Sequence, residues 1–222
     1  MSATEFFNIM GFYNSTYWLI TVLTVVFGVL AVILVVRKTS YSDRAISLIL
    51  AILWLWVGLV FGFIVFGPWT PIAFGIPIPG FGYFFGITFT LQGILLLYYG
   101  VYRKSLSFKF ETDPLGLLGL LLIIYAVLFY GLVGLATGYP FPFYPLFGTS
   151  PCPVTIFTIG LFLWADKRIS PLVFVLPTIL ALIGLVPVLA FGVFADFGLF
   201  LSGFICLFLL FKHWKGPQPA GV

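Results

Sequence analysis

Charge is what this sequence has least of. Only 7% of its 222 residues are Asp, Glu, Lys or Arg, against roughly 25% in soluble globular domains. A chain this poor in charge cannot cover a water-facing surface, so a soluble domain is excluded. Histidine occurs once, as His213 near the C-terminus, which removes bis-histidine haem ligation, a His-rich metal centre, a zinc metalloprotease and an intramembrane Ser-His protease. Cysteine occurs twice, as Cys152 and Cys206. A dithiol oxidoreductase needs two thiols whose Cα atoms approach within about 7 Å. Counting helical rise from the basic ends of their segments, these two lie at depths of roughly 21 and 9 Å. Cys206, between Ile205 and Leu207, reads as a packing residue. No Asp, Glu, Lys or Arg falls inside a long apolar run, so the ionisable relay usual in ion-coupled pumps is missing. The last run has no lysine to form a Schiff base.

Apolar residues fill the space. They make up 62% of the chain, with 20% aromatic, and they come in runs near 16–36, 45–66, 81–102, 115–138, 153–165, 172–192 and 197–211. A hydrocarbon core takes about 20 residues of helix. The expectation is an all-α, polytopic transmembrane bundle of seven spans forming one domain over 1–222, with the lipid bilayer as its partner. All ten Lys and Arg residues follow odd-numbered runs: Arg37, Lys38 and Arg44; Arg103, Lys104 and Lys109; Lys167 and Arg168; Lys212 and Lys215. By the positive-inside rule the N-terminus is then outside and the C-terminal tail, 212–222, cytoplasmic. Basic residues confined to loops read as topology determinants beside anionic lipid, and nucleic-acid binding has no support. The first 15 residues have no basic region, and the first run ends in Arg37-Lys38 without a cleavage pattern, so that span is expected to be retained.

The connections differ by side. Those carrying the basic residues are short and charged. The others are rich in proline and aromatics, as in "GPWTPIAFGIPIPG" and "YPFPFYPLFGTSPCP", and are expected to fold onto or into the outer leaflet. Residues 1–15 carry Ser2-x-x-Glu5, a capping-box pattern, before Phe6, Phe7, Met10 and Tyr13, and read as a short helix in the outer interface. Asn14-Ser-Thr16 matches a glycosylation acceptor, close against the first span. Pro177 and Pro187 should bend the sixth span. Gly82-xxx-Gly86 and Gly134-xxx-Gly138 permit close helix contact.

Two features point to a site. Counted by helical rise, Trp54, Trp56, Gln92, Tyr125 and Thr155 all come out near the midplane at roughly 14–17 Å. Their polar groups cost free energy if unpaired in hydrocarbon, so they either clasp the helices together or line a small cavity. The second feature is Pro151-Cys152-Pro153. The fifth run spans only about 20 Å, which starts it inside the outer leaflet, and a proline at the first helical position puts that start at Pro153 and Cys152 at the N-cap. The helix dipole there favours a thiolate and apolar surroundings disfavour it, so Cys152 is either a small junction residue or a soft, redox or reactive group. Asp196 precedes the last span, as a helix N-cap or as part of the same site.

"PCPVTIFTIG", with "EFF" and "FYN" ahead of Trp18, "SDR" at 42–44, "WLWVG" at 54–58, "LQG" at 91–93 and "DFGL" at 196–199, resembles a domain-of-unknown-function family of prokaryotic multi-pass membrane proteins. The most specific part is Pro-Cys-Pro-x-Thr-x-Phe-Thr-x-Gly, matched by Pro151, Cys152, Pro153, Thr155, Phe157, Thr158 and Gly160. The chain departs from that pattern with Leu19 after Trp18 and Gly131 after Tyr130, where the family has proline. The resemblance implies a multi-pass protein of the prokaryotic cell membrane and carries no activity with it.

The expectation from these features is a non-enzymatic protein without prosthetic group or metal that binds or passes a small neutral or soft solute. Its outward-facing site would comprise Cys152, Thr155, Gln92, Tyr125, Trp54, Trp56 and Asp196. The alternatives are an accessory subunit, associating with other membrane subunits or with itself, and a thiol-based redox or sensor protein.

Overall fold

The structure, a computed structural model, describes residues 1–70, 72, 73 and 76–214. Lys215 and the tail beyond it, with part of the loop between the second and third apolar runs, lie outside the described residues. The chain is helical almost throughout. Helix α1 is Ala3–Thr16, and six helices are long and apolar enough to cross a membrane: α2 Trp18–Val36, α3 Ser42–Phe66, α4 Phe81–Tyr102, α5 Pro114–Ala136, α7 Leu172–Phe191 and α8 Asp196–Trp214. Between them α6, Pro151–Leu163, is apolar but only 13 residues long. Strands β1 Ile72–Ala73 and β2 Ile76–Pro77 form a minimal antiparallel pair, Ile72 opposite Pro77.

Local chemistry sets the helix starts. Ser2 Oγ accepts from the Glu5 N–H at 3.3 Å and Glu5 Oε2 accepts from the Ser2 N–H at 2.7 Å, the reciprocal capping box that begins α1. Asp113 accepts from the Gly116 N–H at 2.7 Å, with Pro114 first in α5. For α6 the cap is Ser150, extended at ψ 148°, and Pro151 is the first helical residue. This corrects the expected start at Pro153: either proline suits a first turn, which needs no N–H partner, so the earlier one takes the position. Cys152 is therefore inside the first turn rather than at the N-cap. Helix α7 contains Pro177 and is interrupted for one residue at Gly184, three residues before Pro187. Stretches of wider, π-helical winding occur at Val57–Phe66, Leu97–Tyr102 and Tyr125–Phe129.

Packing explains how α6 can be so short. It touches α3, α5, α7 and α8, and every residue in it is buried except Cys152. A helix sheathed by longer neighbours need not match the hydrocarbon thickness itself, because they satisfy its surroundings. By contrast α2 leans mainly on α3 and leaves Leu19, Val22, Val26, Val29 and Ile33 exposed, an apolar face far larger than water tolerates on a monomer. Helices α3 and α4 approach closely, with Gly62 against the Gly86 backbone, where any Cβ would collide.

The connections gather at two ends. At one, Lys38 Nζ donates to the Phe108 carbonyl at 2.8 Å and faces Asp43 at 3.4 Å and Asp166 at 3.7 Å. Asp43 accepts from Ser107 Oγ and from the Phe108 N–H, both at 3.0 Å. Lys109 N–H donates to Trp164 O at 2.7 Å and Ile169 N–H to His213 Nδ1 at 3.1 Å. This basic end therefore brings together 37–43, 103–113, 164–171 and the last turn of α8. The opposite, aromatic end holds α1, the 137–150 connection and the α7–α8 turn.

Candidate functional site

The aromatic end is assembled by α1. Phe6 stacks on Phe191 at 4.7 Å between ring centres, and Phe7 on Tyr139 at 3.6 Å and Tyr144 at 5.9 Å. Tyr13 Oη donates to Thr149 O at 2.9 Å, while Asn14 Nδ2 donates to Pro142 O at 2.6 Å and Tyr144 O at 2.8 Å. A polar side chain paired with loop carbonyls in this way holds the 137–150 connection against α1. Asn14 is fully buried, which removes it as a glycosylation acceptor. The segment is thus packed as a cap on the end of the bundle.

Beneath this cap lies a cavity of about 40 Å³, space for a water molecule or two rather than a large ligand. Its walls include Phe6, Met10, Phe61, Phe85, Phe191, Cys152 and Asp196. The carboxyl group is the unusual member. Asp196 is fully buried in the first turn of α8; Oδ1 accepts from Tyr130 Oη at 2.5 Å, and Oδ2 has no hydrogen-bond partner among the described residues. A native buried carboxyl oxygen left unpaired is rare enough to need a reason. The Cys152 thiol, only a weak donor, is the one polar neighbour on that side of the carboxyl group among the described residues. Cys152 keeps accessible surface because it borders this cavity and a second one of about 10 Å³ lined also by Phe89, Thr155 and Leu199.

Two further tyrosines hold the turn that aims Asp196. Tyr125 Oη donates to Ala195 O at 2.7 Å, and the Ala195 N–H donates to Tyr144 Oη at 3.4 Å. The first turns of α6 and α8 thus bring Cys152 and Asp196 together across more than forty residues of chain.

The other residues expected at the site separate into distinct jobs. Trp54 Nε1 donates to Thr158 Oγ1 at 2.8 Å and stacks on Phe89 at 4.4 Å. Trp56 Nε1 donates to Tyr13 Oη at 2.9 Å. Thr155 Oγ1 bonds back to Pro151 O at 2.9 Å. Gln92 Nε2 donates to Val173 O at 3.0 Å, and that carbonyl is the one released by Pro177, which has no N–H to offer four residues on. Gln92 is therefore the repair of a proline-broken helix. The five midplane groups do not bond one another; each pairs with the nearest free partner, because equal depth does not give equal facing. Of the seven expected residues the structure brings Cys152, Asp196, Tyr125 and Thr155 into one neighbourhood and leaves Trp54, Trp56 and Gln92 outside it. Asp196 does not use its carboxyl as a helix cap.

Sequence reasoning missed Tyr130, Tyr144, Phe6 and Met10. Tyr130 lies inside the fourth apolar run with no local mark of its partner, and only the fold turns it onto Asp196. Phe6 and Met10 lie four apart on α1, a spacing that does mark one helix face. No group of three or more His, Cys, Asp or Glu is gathered anywhere among the described residues. A larger groove, about 630 Å³, runs outside between α1 and the end of α3, and its only ionisable groups among the described residues are Glu5 and Tyr17; Glu5 is already used in the cap.

An all-helical fold with six helices fit to cross a membrane, and a buried thiol–carboxyl pair under an aromatic cap, define the class. The chain belongs to a family of unknown function (DUF6064), whose profile matches residues 3–218. No curated protein and no solved structure matches the chain.

Proposed function

We propose that the protein is a non-enzymatic membrane protein that binds a small solute in the cavity between Cys152 and Asp196. The carrying observation is the fully buried Asp196 carboxyl group, one oxygen engaged by Tyr130 and the other with no N–H or O–H donor and only the Cys152 thiol beside it, at a wall otherwise made mostly of aromatic, proline and aliphatic side chains. Apolar pockets with one or two convergent polar groups are the usual form of small-ligand sites. The apolar face of α2 and the clustering of the basic connections support seven crossings of a prokaryotic cell membrane, with the short α6 as the fifth. In this reading the aromatic end faces outward and the basic end lies in the cytoplasm. The second, narrower cavity beyond Cys152 favours passage deeper into the bundle as an extension of binding.

Labelling tests the reading. In a Cys206→Ser background in native membranes, a small impermeant methanethiosulfonate applied from outside should modify Cys152, and Phe6→Ala should speed that modification by thinning the cap. A Cys152 that stays unmodified from outside, both with Phe6 in place and in the Phe6→Ala variant, overturns it.

A further inference from the structure

We infer that the solute is a soft monovalent metal cation of the copper(I) class, held by Cys152 Sγ and Met10 Sδ with Asp196 Oδ2 as the opposing charge; this rests on the reading of the cavity as a binding site.

Four observations converge on it. The first is the donor set: Cys152 and Met10 border the same cavity, and thiolate and thioether are the side chains that select copper(I) over harder ions. The chain has only two methionines and two cysteines, and one of each stands here. The second is charge. Asp196 Oδ2 is fully buried with no N–H or O–H donor, only the Cys152 thiol whose proton the metal would replace, and every Lys and Arg of the chain belongs to the connections of the basic end or the tail. The only cation at the aromatic end among the described residues is the terminal amine, exposed and donating to Thr70 O at 3.2 Å. A positive ligand supplies what the protein does not. The third is size: about 40 Å³ admits an ion with little or no water. The fourth is the wall. Phe6, Phe61, Phe85 and Phe191 line the space with aromatic side chains that exclude water, which favours a weakly hydrated soft ion over a hard one. Harder ions such as sodium or calcium would want several oxygens, and the cavity provides one carboxyl group.

Binding breaks the Cys152 S–H bond, forms a sulfur–metal bond and releases the proton to solvent; the metal keeps its oxidation state. Cys152 lies in the first turn of α6 and Asp196 in the first turn of α8. Each helix start acts as roughly half a positive charge. Thiolate, carboxylate and one monovalent cation therefore sum close to neutral with the two helix ends, which is the condition for keeping ions in an apolar interior.

The experiment titrates the full-length protein in detergent with silver(I), a redox-inert member of the class, against a competing chelator, and repeats it with copper(I) under reducing, anaerobic conditions. One ion per chain should bind and should protect Cys152 from methanethiosulfonate. Cys152→Ser should abolish this site and Cys206→Ser should leave it. Met10→Leu, which preserves volume, and Asp196→Asn should each weaken binding by roughly ten- to a hundredfold. If both ions bind as tightly in Met10→Leu and Asp196→Asn as in the parent, the metal is reacting with a bare thiol and the inference falls. If neither ion binds while Cys152 still labels from outside, the inference falls and the cavity stands as a site for another solute. If Cys152 fails to label without metal, the binding-site reading itself is lost.

Discussion

At the basic end Lys38, Asp43, Ser107 and Asp166 close the short connections with ion pairs and hydrogen bonds that solvent reaches, the Lys38 and Asp43 side chains being 38% and 27% exposed. At the aromatic end Phe6, Phe7, Tyr139 and Tyr144 do the equivalent work by stacking, and three buried side-chain oxygens there, Asn14 Oδ1, Thr149 Oγ1 and Asp196 Oδ2, have no N–H or O–H donor, the carboxyl oxygen being the only one on an acidic group. Charge pairs near water hold little energy each and tolerate change. Packed rings hold more and leave an apolar space in which one unpaired oxygen matters. The protein is thus sealed at one end and furnished at the other.

The contrast should show most strongly at Phe7, which is 2% exposed and lies against both Tyr139 and Tyr144. Phe7→Ala should cost about 3–5 kcal/mol, read as a lower thermal midpoint in detergent, with faster proteolysis of 137–150. Next is Asn14→Ala, which removes both amide donors from the Pro142 and Tyr144 carbonyls. Its cost should be about 1–3 kcal/mol, and hydrogen exchange should rise in the 137–150 connection while the basic end stays protected.

Lys38→Met should cost only about 1 kcal/mol or less, and raising the salt concentration should shrink the difference from the parent. A loss from Lys38→Met equal to that from Phe7→Ala would mean that the two ends are held by equal energies after all. The smallest effect is the pH response of the α1 cap. Glu5 is held below its usual 4.5, first by the Ser2 backbone N–H and then by its hydroxyl. A lowered carboxyl value makes the cap contribution complete above 4.5 and progressively lost as pH falls through the folded value. Acidification should therefore loosen α1, measured by protease access to residues 1–16, and Glu5→Gln should remove that acid step.

Much of the helical architecture is legible in the chain because apolar runs and charged interruptions are local signals. Ser2 and Glu5 announce the α1 cap for the same reason, and Asp113-Pro114 carries an equally local start for α5. The expected α6 start is off by two residues because Pro151 and Pro153 are equally good first-turn residues, and nothing between them breaks the tie. The Gln92–Val173 bond follows from the carbonyl that Pro177 frees, but only once the two helices are known to touch. Depth counting groups Trp54, Trp56, Gln92, Tyr125 and Thr155 because rise along a helix is set by residue number alone, whereas facing depends on what each helix packs against.

Composition and period alone dictate an all-helical chain with long apolar helices, its basic residues sorted onto alternate connections. These are properties of consecutive residues and need no neighbour. That Cys152 and Asp196 meet, that Tyr130 takes one carboxyl oxygen and leaves the other, and that α1 roofs the cavity were settled by tertiary packing. Those contacts depend on rotation and approach between helices distant in sequence, and the energy that sets them lies in shape complementarity among aromatic side chains, which no single run of residues encodes.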